Sequence, residues 1–167
     1  MNNINEFWKD IIGYEGLYQV SNLGNVKSLN YHRTGQEKLL SLRISSHGYL
    51  LINLYKDGKY ICHSVHRLVA EAFLPNTNNY PEVNHIDKNK LNNNVDNLEW
   101  CTRKYNQNHA LSKQVAQYDL SGNLIKIWPS AVEIERQLGF FESAISSCCT
   151  GYKNCKTMYG YIWKYIN

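Results

Sequence analysis

The spacing of apolar residues divides the centre of the chain into short elements. Residues 83–86 form a short run with a β-branched residue at each end, which predicts a strand, and residues 98–101 predict the strand that returns beside it. The Asn- and Lys-rich residues 88–94 between them predict a turn. Thr102 is a suitable N-cap for a helix that continues through Ala110, because its hydroxyl accepts hydrogen bonds from the free amides of the first turn. The pattern is therefore strand, strand, helix.

The first part of the chain alternates short apolar segments with Gly and Asn turns. Residues 13–29 predict β-hairpins, and residues 49–55 and 60–64 flank a polar turn in a second strand-turn-strand pattern. Residues 65–73 carry apolar side chains at helical spacing and stop before Pro75, which predicts a helix. This part is therefore expected to be mainly antiparallel β-structure that leads into one helix.

The last part of the chain, from about Gln114, predicts a hairpin followed by two short helices. The elements are strands at 115–120 and 124–128, helices at 130–138 and 142–149, and a closing strand at 160–166. Gly139 is placed to end the first helix. Two short helices joined by a Gly-containing turn are typical of a helix-turn-helix, although such pairs also occur in proteins that never bind DNA.

The turn-rich pattern divides the 167 residues into three small modules with limited cores, at 1–60, 61–113 and 114–167. We expect an α+β fold in an elongated modular chain. Its parts would be an N-terminal antiparallel β module, a central strand-strand-helix domain, and a C-terminal β-hairpin plus helix-turn-helix module.

Composition narrows the class of protein. The net charge of +4 and the pI of about 8.7 permit nucleic acid binding without requiring it, because 14 acidic residues offset 18 basic ones. Five cysteines without a CxxC pair argue against a zinc knuckle and against a disulfide framework. The chain shows neither a signal sequence nor an apolar run of membrane-spanning length. We therefore expect a protein of the bacterial or phage-infected cytoplasm with no membrane partner.

One His and three Asn side chains stand where the strand-strand-helix pattern makes them converge. Asn84 and His85 lie at the end of the first strand, Asn106 lies in the second turn of the helix, and Asn97 is placed to brace the loop. Phosphodiester hydrolysis needs a base for water, a Lewis acid and stabilisation of the leaving oxygen. The imidazole of His85 is a suitable base.

Two of the three asparagines in this group are suited to binding a metal ion. Asn84 and Asn106 offer amide oxygens, which are hard ligands suited to one Mg²⁺ or Mn²⁺ ion rather than to zinc. Because two neutral ligands make a weak site, we expect the scissile phosphate and water to complete the coordination shell. Metal affinity would then depend on bound DNA.

The sequence resembles the HNH nucleases of phage and intron-encoded homing endonucleases. The resemblance is carried by residues 65–73, 83–89 and 97–102 and by Asn106. It implies a central ββα-metal (His-Me finger) nuclease in which His85 is the general base and Asn97 is the middle Asn of the motif. Asn106 stands where many members carry the third His, and some relatives carry Asp at the position of Asn84.

The flanks resemble DNA-binding modules of the same enzymes. Residues 13–16 with 18–24 are similar to a modular motif that often precedes the nuclease, and residues 114–167 are similar to a repeat-type module of intron-encoded nucleases. The side chains expected to contact DNA are Lys27, Arg33, Lys38, Arg43 and His47 in the N-terminal module and Ser143, Ser146 and Ser147 on the second C-terminal helix. Arg103 or Lys104 is a candidate phosphate contact.

Some polar residues near the motif have two interpretations. Asp87 is either a second-shell partner that orients His85 or a turn former. His109 is either a further ligand or an exposed helix residue, and exposure is the favoured interpretation. His63 and His66 bracket a helix start, where local packing or hydrogen bonding is expected.

These observations predict a monomeric, site-specific double-stranded DNA endonuclease of the HNH homing type. Because one chain carries one centre, nicking of one strand is the expected outcome. One rival is a repressor-like DNA-binding protein with a degenerate nuclease core, which would bind DNA without cutting it. A second rival is a β-rich RNA-binding protein that stacks single strands on exposed aromatic residues.

Overall fold

The structure, a computed structural model, describes residues 5–166 and combines helices with four small antiparallel sheets in that range. Contacts along the chain divide it into two compact units, Met1–Arg103 and Lys104–Asn167. Among residues 5–166, every helix is too short or too polar to span a lipid bilayer. The α+β class expected from the sequence is therefore confirmed at this level.

The first unit contains nine strands, one complete α-helix and two short 3-10 helices among its described residues. Three antiparallel sheets have the strand orders β1-β2-β3-β4, β5-β6-β7 and β8-β9. The elements are β1 (Trp8–Asp10), β2 (Tyr18–Ser21), β3 (Val26–Ser28), β4 (Lys38–Leu39), β5 (Arg43–Ile44), β6 (Leu50–Lys56), β7 (Lys59–Ser64), α1 (Val65–Phe73), β8 (Glu82–His85) and β9 (Leu98–Cys101).

The longest hairpin of this unit, β6–β7, turns at Asp57 and Gly58, both of which have positive φ. Consecutive positive φ values match the twist of the flanking strands, and Asp-Gly is a favoured pair for that turn. Ile52 and Leu54 of β6 are buried, whereas the alternate residues Asn53 and Tyr55 are exposed. The hairpin therefore presents one apolar and one exposed face.

A single hydrophobic core joins the sheets of the first unit to α1. Its buried members include Val20 and Val26 from the first sheet, Leu54 from β6, Val69 from α1 and Leu98 from β9. A backbone hydrogen bond also connects the parts, from the amide of Val95 to the carbonyl of Asn22 at 2.8 Å. Residues on both sides of the predicted boundary between 60 and 61 therefore share one core.

The second unit has its own core, in which Trp128, Ile134, Ile145 and Trp163 are buried. Its sheet has the order β11-β10-β12. The elements are α2 (Arg103–Leu111), which starts at the unit boundary, and then β10 (Val115–Tyr118), β11 (Leu124–Trp128), α3 (Ala131–Leu138), α4 (Glu142–Thr150) and β12 (Ile162–Tyr165). The predicted 61–113 domain included α2, which lies almost wholly in the second unit.

Local signals placed several helix and strand ends correctly. The predicted helix at 65–73 and the predicted strand at 98–101 have the observed bounds. Ser130 caps α3 by accepting from the amide of Glu133 at 3.1 Å, and Gly139 ends the helix at φ 70°. The hairpin and the two short helices of the C-terminal part are confirmed as elements, whereas their action as a helix-turn-helix stays a prediction.

Candidate active site

His85 lies at the end of β8, opposite Leu98 of β9, and is only 5% exposed. Its Nε2 is 2.9 Å from Oδ1 of Asn93, which is also buried. An amide oxygen only accepts hydrogen bonds, so the imidazole donates from Nε2. In the neutral ring, Nδ1 is then the nitrogen with a free lone pair.

Two aromatic rings lie close to the imidazole of His85. The ring of His66 lies 5.1 Å from it and the ring of Tyr49 lies 6.0 Å from it, measured between centroids. Burial lowers the pKa of His85, while the hydrogen bond with Asn93 and the charge of Asp87 partly oppose that effect. Burial also lowers the pKa of His66 to about 3, with smaller contributions from His85 and Arg67. Burial therefore favours the uncharged form of both imidazoles.

The loop between β8 and β9 is held by Asn97. Its Oδ1 accepts from the amide of Asp87 at 2.9 Å, and its Nδ2 donates to Asp87 Oδ1 and to the carbonyl of Asn92, both at 2.8 Å. Asp87 also accepts from the amide of Asn89 and from the side chain of Asn92. Asp87 therefore makes the hydrogen bonds of a turn former within this loop, while Asn93 is the side chain that is hydrogen-bonded to His85. A role of Asp87 in orienting His85 stays a prediction.

Asn84 is buried beside His85, and its Nδ2 donates to Glu99 Oε1 at 3.0 Å. Asn84 and Glu99 lie directly opposite each other in the β8–β9 pair. Since the amide nitrogen is turned toward a carboxylate, Oδ1 is the atom of Asn84 that is suited to a cation. Amide and carboxylate oxygens fit a hard divalent ion. No cluster of three or more His, Cys, Asp or Glu side chains that could hold a metal occurs among residues 5–166.

The remaining candidates near the motif are on or beside α2. Asn106 is half-buried and Lys104 is exposed, both in the second unit. Convergence of Asn106 with His85 stays a prediction. Arg103 Nε lies 3.6 Å from Glu82 Oε1 with its side chain 80% exposed. The expectation that His109 is exposed is wrong: His109 is buried, and its ring stacks on Tyr105 at 6.1 Å.

The five predicted DNA contacts of the first unit differ in their surroundings. Lys27 is paired with Glu37 at 2.9 Å and lies over the ring of Trp8, while Lys38 lies 4.1 Å from the ring centre of Tyr31. Lys38 is exposed, and so are the remaining three. Arg33 has a positive φ of 61°, Arg43 contacts the Cys62 sulfur, and the His47 carbonyl accepts from Lys90.

The three predicted serine contacts on α4 also have different environments. Ser147 donates back to the carbonyl of Ser143 at 2.8 Å, and Ser146 Oγ accepts from the hydroxyl of Tyr165 at 3.0 Å. Ser143 is exposed, whereas Ser146 and Ser147 are partly buried. Ser143 is therefore the most accessible of the three for a base or phosphate contact.

The sequence did not identify three side chains that shape the site. Asn93 lies within a run of asparagines and has no local signal that separates it from its neighbours. Glu99 could have been found from the register of the two strands, which places it opposite Asn84. The packing of His66 against His85 depends on contacts between α1 and the hairpin, which periodicity does not give.

Two family models match the chain. The NUMOD4 motif matches residues 6–55, and an HNH endonuclease model matches residues 63–108. The first match covers the N-terminal sheet and most of β6. The second contains β8, β9 and most of α2, and therefore His85, Asn97 and Asn106.

Similar proteins come from viruses and phages. The chain is 42% identical over 137 residues to an uncharacterised HNH endonuclease of Acanthamoeba polyphaga mimivirus, with 78% of this chain and 41% of that relative covered. It is 35% identical over 163 residues to the DNA endonuclease I-HmuI of Bacillus phage SP01, with 87% of this chain and 91% of I-HmuI covered. It thus spans nearly all of one relative and less than half of the other.

A solved structure supports the same comparison. The structure reported for DNA binding and cleavage by the HNH homing endonuclease I-HmuI is 33% identical to this chain and matches it with a TM-score of 0.54. The match covers 96% of this chain and 98% of that chain. The similarity therefore extends over both compact units.

Proposed function

The chain belongs to the HNH homing endonucleases, a family of site-specific DNA endonucleases, and we propose that it nicks one strand of a duplex target with His85 as the general base. One observation carries this proposal. The buried hydrogen bond between His85 Nε2 and Asn93 Oδ1 leaves Nδ1 as the basic nitrogen of a neutral imidazole.

The residues of the first unit have defined tasks in this proposal. His85 takes a proton from water at Nδ1, and the burial that lowers its pKa favours the uncharged ring that can accept this proton. Asn97 and Asp87 hold the loop that carries Asn93, and so maintain the position of the base. Arg103, with its exposed side chain, contacts a phosphate of the bound strand.

Members of this family use one divalent metal ion, and Asn84 and Asn106 are the residues of this chain that would hold it through their side-chain oxygens. When bound, the ion supplies positive charge that stabilises the phosphorane and the departing 3′ oxygen. Mg²⁺ and Mn²⁺ are the ions suited to these hard donors. The hydrogen bond from Asn84 to Glu99 turns the amide so that its oxygen is left for this role.

We assign target selection to the flanking parts of the chain. The NUMOD4 motif offers exposed Arg33, Arg43 and His47, and α4 offers Ser143. Phosphate contacts set the register on DNA, while a few contacts to base edges read the sequence. A monomer with one catalytic centre cuts one strand, which is the basis for proposing nicking. The phage relatives suggest that it acts in an infected bacterial cell.

A repressor-like protein that binds DNA without cutting it is the second candidate. The observation that favours it is the neutral residue Asn84 at a position where a carboxylate would hold a cation more firmly. The two candidates share the DNA-binding surfaces and differ only in whether His85 performs chemistry.

Cutting of genomic DNA tests the proposal. The protein is incubated with host or phage DNA plus Mg²⁺ or Mn²⁺, breaks are mapped, and the mapped site is cloned into a supercoiled plasmid. We expect a nicked plasmid with the wild-type protein and no product with chelator. His85→Ala should bind the site in a mobility shift but lose about 10²- to 10⁴-fold in cutting rate. His32→Ala, which removes an exposed histidine, is the control.

Three other results of this experiment would contradict parts of the proposal. A linear product at single turnover would overturn nicking, because it requires both strands to be cut. Binding without cutting by the wild-type protein would favour the repressor. Loss of DNA binding in His85→Ala would contradict a purely chemical role for that residue.

A further inference from the structure

We propose that residues 22–25, the turn between β2 and β3, position His85 by packing against Asn93. This turn lies within the NUMOD4 match, whereas Asn93 and His85 lie within the HNH match. The N-terminal motif would then be a structural part of the nuclease centre as well as a DNA-binding element. The catalytic consequence rests on the proposed function, but the contacts between turn and loop do not.

Gly24 makes the close approach possible. It has φ +87°, and a Cβ built on it would lie 2.7 Å from the Cβ of Asn93 and 3.2 Å from the carbonyl oxygen of Asn93. A side chain at position 24 would therefore push the turn and the Asn93 backbone apart. Gly58 has a similar φ of +79° but would meet nothing within 4 Å. Only the first of these two glycines is required by a neighbouring backbone.

The turn that Gly24 belongs to is held firmly. The fully buried Ser21 accepts at Oγ from the amides of Leu23 and Asn25, and its own amide donates to the carbonyl of Asn25 at 2.8 Å. The carbonyl of Asn22 accepts from the amide of Val95, two residues beyond Asn93. The turn is therefore a fixed surface attached to the same loop that it contacts.

Asn93 needs such a surface to keep its orientation. The side chain is buried, and within residues 5–166 its Nδ2 finds no hydrogen-bond acceptor. The bond that its Oδ1 accepts from His85 is thus not reinforced by a second hydrogen bond of the amide, whereas Gly24 closely approaches the Cβ and the backbone that carry this side chain. If the amide rotated by half a turn, Nδ2 would face Nε2, and the ring would have to carry its proton on Nδ1 instead. Packing by Gly24 therefore helps to set which nitrogen of His85 is basic.

The tautomer of His85 is a direct readout that does not need catalysis. In ¹⁵N-labelled, metal-free protein at a pH where the imidazole is neutral, nitrogen–proton correlations distinguish the Nε2–H from the Nδ1–H form. The His85 signals are assigned by their absence in His85→Gln. We expect Nε2–H in the wild type and in Gly58→Ala, and a mixture or the Nδ1–H form in Gly24→Ala. An unchanged His85 tautomer in folded Gly24→Ala would overturn the proposal.

Further variants keep the test decisive if Gly24→Ala does not fold. Ser21→Ala loosens the turn without adding volume, and it should also lose the single Nε2–H form. Asn93→Ala removes the acceptor, whereas Asn93→Asp retains one, so the second should restore the Nε2–H tautomer that the first loses. A wild-type tautomer in Ser21→Ala or in Asn93→Ala would contradict the proposed chain of contacts.

Cutting assays then connect the tautomer to the reaction. Gly24→Ala should cut its mapped site about 10- to 100-fold more slowly than Gly58→Ala at single turnover, with equal DNA affinity. A slower rate that comes only from weaker DNA binding would overturn the positioning role. If the wild type binds DNA without cutting but Gly24→Ala still changes the His85 tautomer, the structural inference holds and the proposed nuclease activity fails. The two failures are therefore distinguishable.

Discussion

Replacement of His66 by Gln should make the first unit less sensitive to acid. His66 is buried in α1 and packs near the rings of Tyr49 and His85, and its Nδ1 has no hydrogen-bond partner among the described residues. Burial lowers the pKa of its imidazole to about 3, whereas a histidine in the unfolded chain has a pKa of about 6.5. Between these values the unfolded state binds a proton that the folded state does not bind.

The sign and the size of the effect follow from this difference. The contribution of His66 to the free energy of unfolding has its full value above pH 6.5 and falls as the pH decreases toward 3. In that window the unfolded state binds a proton that the folded state does not bind. At pH 5 the loss from His66 alone is about 2 kcal/mol, with a slope of about 1.4 kcal/mol per pH unit. The lowered pKa of His85 acts in the same direction. Unfolding of the variant should therefore take up about one proton fewer than unfolding of the wild type, and some pH dependence should remain.

Hydrogen–deuterium exchange in urea measures this directly. Peptides from β8 and β9 report the free energy of opening the first unit of the metal-free protein between pH 7 and 4.5. His66→Gln should show the shallower dependence, while His47→Gln, which removes an exposed histidine from the same unit, should retain the dependence of the wild type. Equal slopes in the wild type and His66→Gln would mean that His66 does not take up a proton on unfolding in this pH range, whatever the absolute stability of the variant.

Three further changes test other parts of the account. Asn97→Ala removes three hydrogen bonds from the β8–β9 loop, so it should cost about 2–4 kcal/mol of stability and speed hydrogen exchange of the loop amides. Exchange equal to that of the wild type would contradict this role of Asn97. Asn84→Asp places a second carboxylate beside Glu99, so it should lower the melting temperature of the metal-free protein. It should also lower the Mn²⁺ concentration for half-maximal cutting by roughly tenfold, because a carboxylate holds the ion more firmly than an amide. An unchanged Mn²⁺ requirement would exclude residue 84 as a ligand. Deletion of residues 114–167 should weaken DNA binding or relax site choice while metal-dependent cutting remains detectable, and complete loss of cutting with the first unit still folded would refute that division of tasks.

Much of the secondary structure follows from local chemistry. Ser130 and Gly139 delimit α3 because a serine oxygen accepts from a first-turn amide and a glycine adopts the left-handed conformation at the end. The antiparallel pair of β8 and β9 follows from two short strand-forming segments with an Asn- and Lys-rich turn between them. These elements could be predicted because each signal acts over a few neighbouring residues.

The site was less predictable, because its side chains are held by contacts distant in sequence. Asp87 had two possible roles, and only the structure shows that Asn97 and Asn92 occupy its oxygens while Asn93 contacts His85. The burial of His109 was missed because α2 is mostly polar, so its sequence does not indicate which face packs. The contact of Gly24 with Asn93 depends on how two matched motifs share one core.

In the proposed mechanism, His85 and one divalent ion act on the same phosphate. This mechanism is tested most directly by a crystal structure of the protein with its mapped DNA site and Mn²⁺, located by anomalous scattering. The account predicts one Mn²⁺ peak at coordinating distance from the side-chain oxygens of Asn84 and Asn106 and from the scissile phosphate, with His85 Nδ1 facing that phosphate and Nε2 on Asn93. A Mn²⁺ ion held elsewhere, or a His85 ring whose Nδ1 faces the protein interior while DNA is bound, would contradict it.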